Sequence, residues 1–512
     1  MEENAAKEIE IEATQKPETD LIFTAADTVF AFAMLICGFL YWNLIKLYWL
    51  GAGVTVFAAL LFAITYIYLS KSGIKQNAGS LTCLGLAAIS AAQFALFDNL
   101  LISSLNFIFI SALYIYWICL CTGRRIDKEI SAYIIGDAVK QGLSIPFQNF
   151  GCCASGIKNH TKKKQVKVAV PALIGILFFL PLIIAVIRLL ATADLAFESF
   201  ISSFLNFISI EKIMNYIWQF ILGIPVAFYL YGLVYGDVKG RHTDKITIES
   251  VDRAAATIRI APKAAMYSAL TVFNIIYLVF FAVQAAYLFS AFYGSLPEEF
   301  TYAEYARRGF FELCAVAGIN LVVVIITHLL MEKEQGEEPR ALRIETIIIS
   351  SFTILLIATA LSKMALYINA YGLTQLRVFT SWFMILLLFI FLAINVRQIK
   401  KYNLVKSVIT GFVIMFMLLS FGNVDGLIAK YNIGRYEAGT LSEFDLSDMS
   451  DLSDAAVPYL YNMYLLTNES DLEMREQLVL SILNKGRSYG TGDFRGGNLQ
   501  RYRADEIRAL LY

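Results

Sequence analysis

Long apolar runs alternate with short polar stretches along most of the chain. A transmembrane helix needs about 20 mostly apolar residues to cross the ~30 Å hydrocarbon core. Eleven runs meet this length, and the polar joints at Lys46 and at Asp98-Asn99 predict tight helical hairpins. The segment 79–97 is the least apolar of them, and a re-entrant or interfacial segment is the alternative there. The predicted spans are 21–45, 47–70, 79–97, 100–121, 168–192, 215–236, 264–294, 309–331, 344–371, 378–396 and 403–422.

The composition supports this pattern. Of the 512 residues, 58% are apolar and 16% are charged, whereas a soluble domain has about 25% charged residues. The apolar content excludes a disordered chain, and 7 Cys exclude a secreted disulfide scaffold. Lys plus Arg and Asp plus Glu both number 42, which argues against nucleic acid as a partner. We therefore expect an all-α integral membrane protein, a polytopic bundle of about 11 transmembrane helices in a lipid bilayer.

The distribution of Lys and Arg predicts the orientation. If the N-terminus is cytoplasmic, the inside segments carry 26 of these residues, and the outside connections before the C-terminal tail carry 6. Because cytoplasmic loops are enriched in Lys and Arg, this arrangement is favoured. It places the C-terminus outside the plasma membrane. The acidic first 20 residues and the absence of a convincing cleavage site predict that the first span is retained.

Polarity divides the chain into five segments. They are an acidic cytoplasmic tail (1–20), four spans (21–121), a basic cytoplasmic loop (122–167), seven spans (168–422) and a helical extracytoplasmic domain (423–512). Helical patterns in the last segment fall at 424–436, 453–467, 471–485 and 499–511, and Asn468 or Ser470 can cap the third. An interfacial helix is predicted at 193–213. The stretch 130–150 is either an interfacial helix or part of a plain topology anchor, and Ser250 and Asp252 are candidate caps of a short helix between spans.

Catalytic and cofactor-binding signals are scarce. His occurs only at 160, 242 and 328, each isolated, and the chain has no HExxH motif, no CxxC motif and no phosphate-binding glycine loop. We therefore assign no catalytic residue, no metal site and no cofactor.

Charges in and near the spans are more informative, because a charge in hydrocarbon is costly and usually faces protein or water. Glu304, Arg308 and Glu312 are four residues apart and stack on one helical face, with Arg307 beside them. This row needs partners, and Lys363, Arg377 and Asp425 are candidates. It is either a structural ion-pair lattice, a ligand or ion site, or a set of uncoupled interfacial charges. Two further charges fall in spans, Arg188 toward the outer face and Asp27 toward the inner face.

Three sequence blocks carry a family resemblance. They are TYAEYARRGFFEL at 301–313, AYGLTQLR at 370–377, and NVDGLIAKYNIGRYEAG with LSDAAVPYL at 423–439 and 452–460. The chain resembles, over roughly 264–465, the uncharacterised bacterial polytopic membrane proteins of domain of unknown function 4173, which are related to family 4153. The resemblance implies a membrane location and no chemistry. It draws attention to polar residues in these blocks, which we expect to join the outer helix ends to the C-terminal domain: Glu304, Arg307, Arg308, Arg377, Asn423, Asp425, Asn432 and Arg435.

Three functions compete at this point. The first is a non-enzymatic envelope sensor or assembly factor whose external domain meets an unknown protein or small molecule on the outer face. The second is a transporter for a small solute, which the number of spans and the prolines within them favour. The third is an intramembrane enzyme that acts on a lipid-linked substrate, for which the sequence offers no nucleophile or metal. A water-accessible path would favour the second function, and a concave outer pocket with convergent acids is required by the third.

Overall fold

The computed structural model describes residues 23–45, 48–160, 210–293, 310–331, 339–441, 446–485 and 493–511, with scattered positions between 179 and 197. Four long helices come first: α1 (Ala25–Leu44), α2 (Ala52–Lys71), α3 (Ala78–Leu96) and α4 (Leu100–Thr122). Short helical segments follow, which are α5 (Ile134–Val139), a π-helical turn (Lys140–Ser144), α6 (Ile145–Gln148) and α7 (Cys152–His160).

Seven further helices precede the C-terminal segment. They are α8 (Ile210–Lys239), α9 (Ile248–Ile258), α10 (Lys263–Tyr293), α11 (Phe310–Leu330), α12 (Arg340–Tyr371), α13 (Gln375–Ile399) and α14 (Leu404–Phe421). The C-terminal helices are α15 (Val424–Glu437), α16 (Leu446–Ser450), α17 (Val457–Leu466), α18 (Leu472–Asn484) and α19 (Leu499–Leu510), with a 3₁₀ turn at Asp454–Ala456. The sequence pattern predicted one helix over 453–467, but its first turn is this 3₁₀ segment.

Within the described residues, ten helices are long and apolar enough to cross a membrane: α1 to α4, α8 and α10 to α14. This confirms the predicted class, an all-α polytopic helical bundle. The weakest predicted span, 79–97, forms the continuous helix α3. The predicted span 168–192 and the predicted interfacial helix 193–213 lie for the most part outside the described residues.

Polar side chains cap the helix starts that follow the short loops. Asn77 forms a capping box with Ser80 at α3, and Asn99 caps α4 by accepting the Ile102 N–H. Thr374 caps α13 in the same way. Each cap satisfies a backbone donor that would otherwise be unpaired at the helix start.

Two predicted caps are wrong. Thr247 caps α9, and Ser250 returns the hydrogen bond from the third helical position. Asp471, rather than Asn468 or Ser470, caps α18 by accepting the Met474 N–H. In both cases the residue that immediately precedes the helix, and not its polar neighbour, is in place to accept the bond.

The predicted interfacial helix at 130–150 is broken into α5, the π-helical turn and α6. Pro146 lies in the first turn of α6, where its missing N–H is tolerated. Two charged side chains hold the segment against the end of α4. Asp137 accepts the Ile126 N–H at 2.8 Å, and Lys140 Nζ donates to the Arg124 carbonyl at 2.9 Å.

The chain packs into two compact units, unit 1 (residues 1–43, 60–76 and 143–242) and unit 2 (residues 44–59, 77–142 and 243–512). These units are defined by packing, whereas the five segments predicted from the sequence are defined by chain order and polarity. The two divisions therefore cannot be compared directly. The segment boundaries therefore stay a prediction.

Unit 1 depends on close helix contacts through glycine. A Cβ atom at Gly38 of α1 would overlap the carbonyl oxygen of Gly223 on α8. Beside this contact the Trp42 indole N–H donates to the Leu222 carbonyl at 2.8 Å. Because lipid leaves no hydrophobic force between two apolar helices, small residues that allow close packing stabilise such pairs.

Unit 2 contains a polar chain across three spans. Tyr277 of α10 donates its hydroxyl to Asn320 Oδ1 of α11, and Asn320 Nδ2 donates to Thr353 Oγ1 of α12 at 2.8 Å. These groups lie near the middle of their helices and are surrounded by the buried residues of α10 to α13. Hydrogen bonds of this kind fix the register of helices whose remaining contacts are apolar.

The glycine contact predicts a specific loss of stability. Gly38→Ala should lower the free energy of unfolding by about 1–3 kcal/mol, because the added methyl group has no space. Gly85→Ala in α3 is the matched control, since nothing lies within 4 Å of a Cβ atom there. Thermal melting of the detergent-solubilised protein measures both variants. Equal melting temperatures would show that α1 and α8 do not pack at this point.

Candidate functional site

The C-terminal helices, called the C-terminal domain below, share one apolar cluster inside unit 2. Ile428, Leu460, Leu478, Ile482 and Ala504 come from four helices and are almost completely buried together. The same cluster includes Ile102 of α4 and Leu419 of α14. The domain therefore packs directly on the ends of spans.

Helix α15 holds the turn between α12 and α13. Asn432 Oδ1 accepts the Leu373 N–H at 2.7 Å, and Asn432 Nδ2 donates to the Leu373 carbonyl at 2.8 Å. Arg435 Nη1 donates to the Asn369 carbonyl at 2.7 Å. Gly372 has a φ of +76°, and a side chain there would collide with Asn432. The turn is thus fixed through its backbone.

Arg377 stabilises the same turn from α13. Its Nη1 donates to the Gly372 carbonyl at 2.6 Å, and the guanidinium lies 4.1 Å from the centre of the Tyr367 ring. A cation over an aromatic face gains about 0.5–2 kcal/mol. Among the described residues, Arg377 therefore contacts carbonyl groups and a ring rather than a carboxylate.

Asp425 joins three elements. It accepts hydrogen bonds from Asn99 Nδ2 at 3.0 Å, from Gln375 Nε2 at 2.8 Å and from the Ser453 N–H at 3.1 Å. Asp425 is 1% exposed. A buried carboxylate is tolerated when several donors point at it, and here they come from the starts of α4 and α13 and from the 3₁₀ turn.

Two more carboxylates hold the last helix, α19. Arg501 Nη2 lies 2.9 Å from Asp98 Oδ1, and Asn498 Nδ2 lies 3.1 Å from the same oxygen. Arg508 pairs with Asp454, and Arg501 Nε is 3.5 Å from Asp454 Oδ2. Burial and the negative charge of Asp98 raise the pKa of Asp454, while the two arginines oppose this shift.

A buried lysine lies beside these acids. Lys485 Nζ donates to the carbonyl oxygens of Met449, Ser450 and Leu452. Burial lowers the pKa of Lys485 to about 8, and the nearby charges of Asp425 and other acids oppose the shift. All three N–H donors of the ammonium have a carbonyl acceptor, so Lys485 closes the loop after α16.

These groups surround a cavity of about 450 Å³ in unit 2. One part of its wall is charged, and another part is aromatic and apolar. The charged part is formed by Asp98, Asp425, Asp451, Asp454, Lys485 and Arg501. Tyr48, Trp49, Leu100 and Leu101 form the apolar part. A cavity of this size and composition can hold a small molecule that has both a polar and an apolar end.

Comparison with known proteins gives a family for the chain. A family model described as "Domain of unknown function (DUF4153)" matches residues 81–463. The chain belongs to this family. Neither a curated protein nor a solved structure matches the chain. The sequence blocks resemble family 4173 and its relative 4153, and the match is to family 4153. It begins at residue 81, whereas the resemblance began near residue 264.

The predicted site residues of this DUF4153 protein fall into four groups, and the fourth, Asp27, lies in unit 1. Glu304, Arg307, Arg308 and Arg188 lie outside the described residues. Arg377, Asp425, Asn432 and Arg435 lie together at the span ends, as described above. Glu312 is exposed in the first turn of α11, and its charge acts on Lys363 of α12, but neither is among the residues that line the cavity.

Asp27 lies in unit 1, in a separate group of polar contacts. Its carboxylate accepts the Tyr68 hydroxyl at 2.7 Å and the Thr24 N–H at 2.8 Å, and Lys239 Nζ is 2.8 Å away. The predicted intramembrane charge is thus paired at the ends of α1, α2 and α8.

Sequence reasoning did not single out several groups at this DUF4153 site. The sequence marks Asp98 only as a joint between two predicted spans, and it gives Asp454 no role. Lys485, Arg501 and Arg508 had no distinguishing motif. A weak signal exists for the last two, which are seven residues apart and so lie on one face of α19.

The contacts of Asp98 predict how α19 is attached. Asp98→Asn removes the charge that faces Arg501, so amide hydrogen exchange in α19 should accelerate about tenfold or more, which corresponds to about 1.4 kcal/mol or more. The control is Asp505→Asn, whose exposed pair with Arg508 within one helix should contribute little. Unchanged exchange in Asp98→Asn would mean that other contacts hold the helix.

Proposed function

We propose that this protein is a non-enzymatic membrane sensor or assembly factor whose C-terminal domain binds a ligand at the span ends. The observation that supports this proposal is the cavity. Its wall combines the residues just before α2, the start of α4, the start of α13 and the C-terminal domain. A ligand in the cavity would contact the spans and the domain at once.

The state of the charged groups favours binding over catalysis. Lys485 donates to three carbonyl oxygens as an ammonium, and in this protonated form its nitrogen has no lone pair for attack on a substrate. Asp98 and Asp454 are held by arginines, and Asp425 accepts three hydrogen bonds. Such groups fix the shape and electrostatics of a pocket more readily than they exchange protons.

The same wall suggests how binding could be signalled. Ligand binding shifts the balance between two arrangements only if its contacts differ between them. Because the cavity has wall residues on both the spans and the domain, its contacts depend on how firmly the domain is docked. An occupied cavity should therefore stabilise the docked arrangement of α19.

A blocking variant tests the proposal. In a thermal-shift screen of small polar and amphiphilic metabolites against the purified full chain, we expect compounds that raise the melting temperature of the unmodified protein. Leu101→Trp adds bulk to the cavity wall and should abolish that rise. Leu105→Trp is the control, because Leu105 is one turn further along α4, is also exposed and does not line the cavity. Compounds that stabilise both variants equally, or a screen without any stabilising compound, would contradict the proposal.

We further propose that the N-terminus is cytoplasmic and that the C-terminal domain lies outside the plasma membrane. The fourfold bias of Lys and Arg toward the other set of loops supports this orientation. The loops at 97–99 and 372–374 lie against the C-terminal domain, so the cavity is expected on the outer face. The finer family assignment, to domain of unknown function 4173, is likewise a proposal that the sequence blocks support.

Cysteine labelling tests the orientation. In a Cys314→Ser background, a membrane-impermeant maleimide should label Glu469→Cys in intact cells and Lys128→Cys only after permeabilisation. Both positions are exposed, and the other six cysteines are buried. The reverse pattern of labelling would show that the cavity faces the cytoplasm.

A further inference from the structure

The apolar part of the cavity wall continues into the lipid-facing surface of α4. Tyr48, Leu100 and Leu101 line the cavity and are 84%, 53% and 51% exposed, so they lie at its mouth. Leu105 and Ile108 follow Leu101 at intervals of four and three residues and are exposed on the same face of the helix. Because α4 is a span, this face contacts hydrocarbon. An apolar surface therefore runs from the membrane to the cavity.

The mouth of the cavity lies at the level where spans leave the hydrocarbon. Helix α4 has 23 residues and therefore measures about 35 Å, slightly more than the ~30 Å hydrocarbon core. Its first residues, Leu100 and Leu101, thus lie at the boundary. Tyr48 and Trp49, just before α2, are of the residue types that are enriched at this boundary. A membrane-embedded molecule can therefore reach the cavity from within the leaflet.

The charges deeper in the wall are already engaged with other groups of the protein. Arg501 lies 2.9 Å from Asp98 and 3.5 Å from Asp454, and Arg508 also pairs with Asp454. The Lys485 ammonium donates to three carbonyl oxygens. A charged ligand group would have to break one of these contacts or become desolvated without a counter-charge, and both are costly.

The two remaining acids of the wall do not change this balance. Asp425 is buried and accepts three hydrogen bonds. Asp451 is exposed, and a pair between exposed charges gains little. The wall therefore does not favour a strongly charged ligand group of either sign.

The exposed polar groups of the wall suit the hydroxyl groups of a ligand. In the C-terminal domain they are Ser450, Asp451 and Asn484. A serine hydroxyl and an amide both donate and accept hydrogen bonds, and a carboxylate accepts them. A ligand hydroxyl also donates and accepts, so it can pair with each of these groups. Trp49 lies in the same wall, and the C–H groups of a sugar ring can pack on its aromatic face.

We propose that this cavity binds a membrane amphiphile that has an uncharged, hydroxyl-rich head and a hydrocarbon chain. The head lies at Ser450, Asp451 and Asn484, and the chain passes over Leu101 onto the lipid-facing surface of α4. The inference rests on the proposed function and names the chemical class of its ligand. It commits to a glycolipid of the membrane rather than to a soluble sugar.

Four probes that differ in head or chain test the ligand class. Amide hydrogen exchange is measured in the full chain in phosphatidylcholine nanodiscs, at probe concentrations that leave the nanodiscs intact. We expect octyl glucoside to slow exchange at 449–454 about fivefold at a concentration about four times its dissociation constant. Glucose, octyl phosphate and octyltrimethylammonium should slow it less than about twofold at the same concentration. Exchange in α9, which does not line the cavity, should not change.

Matched variants show whether this protection comes from the cavity. Leu101→Trp fills the mouth and should abolish the protection, whereas Leu105→Trp keeps the surface of α4 apolar and should not. Asn484→Ala should raise the dissociation constant of octyl glucoside about threefold to tenfold, because it removes a hydrogen-bonding group. Asn468→Ala is its control, since Asn468 is an exposed asparagine of the same domain that does not line the cavity.

The outcomes separate this inference from the proposed function. Equal protection by either charged probe would overturn the uncharged head, and equal protection by glucose would overturn the membrane source. Protection by octyl glucoside that survives Leu101→Trp, or that Asn484→Ala leaves unchanged, would overturn the placement of the ligand. If octyl glucoside gives no protection but other compounds stabilise the protein in a way that Leu101→Trp abolishes, this inference fails and the proposed function stands without it.

Discussion

The structure depends on the fact that lipid cannot hydrogen-bond to a peptide group. Every backbone donor and acceptor in the hydrocarbon must be paired within the chain, and a helix achieves this locally. Side chains that need water or a partner are therefore concentrated where helices end. Asn99 at the start of α4 and Asp425 in the first turn of α15 both follow this rule, and it brings them together. The polar groups of the candidate site lie together because the membrane confines such groups to the helix ends.

Docking of the C-terminal domain combines apolar burial with a buried charge network, and the two contribute differently. The cluster around Ile428, Leu460 and Ile482 supplies most of the stabilisation, since apolar burial contributes about 25 cal/mol per Å². Buried ion pairs such as Arg508 with Asp454 gain little net energy because both charges are desolvated. Their effect is to define one arrangement, since any other would leave a charge buried without a partner. That specificity is what a ligand-responsive cavity requires.

Membership of the DUF4153 family supports the membrane class, but the family description names no chemistry. Any chemistry has to be inferred from the residues of the site. The acids and bases in the cavity wall are fixed by one another and by the backbone. In the proposed function, a wall fixed in this way would discriminate between ligands by charge and hydrogen bonding. Polar groups have a different role elsewhere in the same unit. Tyr277, Asn320 and Thr353 form hydrogen bonds to one another between spans.

The sequence alone determined the helical spans, because hydropathy is a local property and about 20 apolar residues have few alternatives to a membrane helix. It also indicated the C-terminal helices and drew attention to Arg377, Asp425, Asn432 and Arg435. Only the tertiary structure gave their partners. Asp98 and Arg501 are separated by 403 positions, and neither belongs to a recognisable motif. Their contact follows from the packing of distant helices, which no local pattern records.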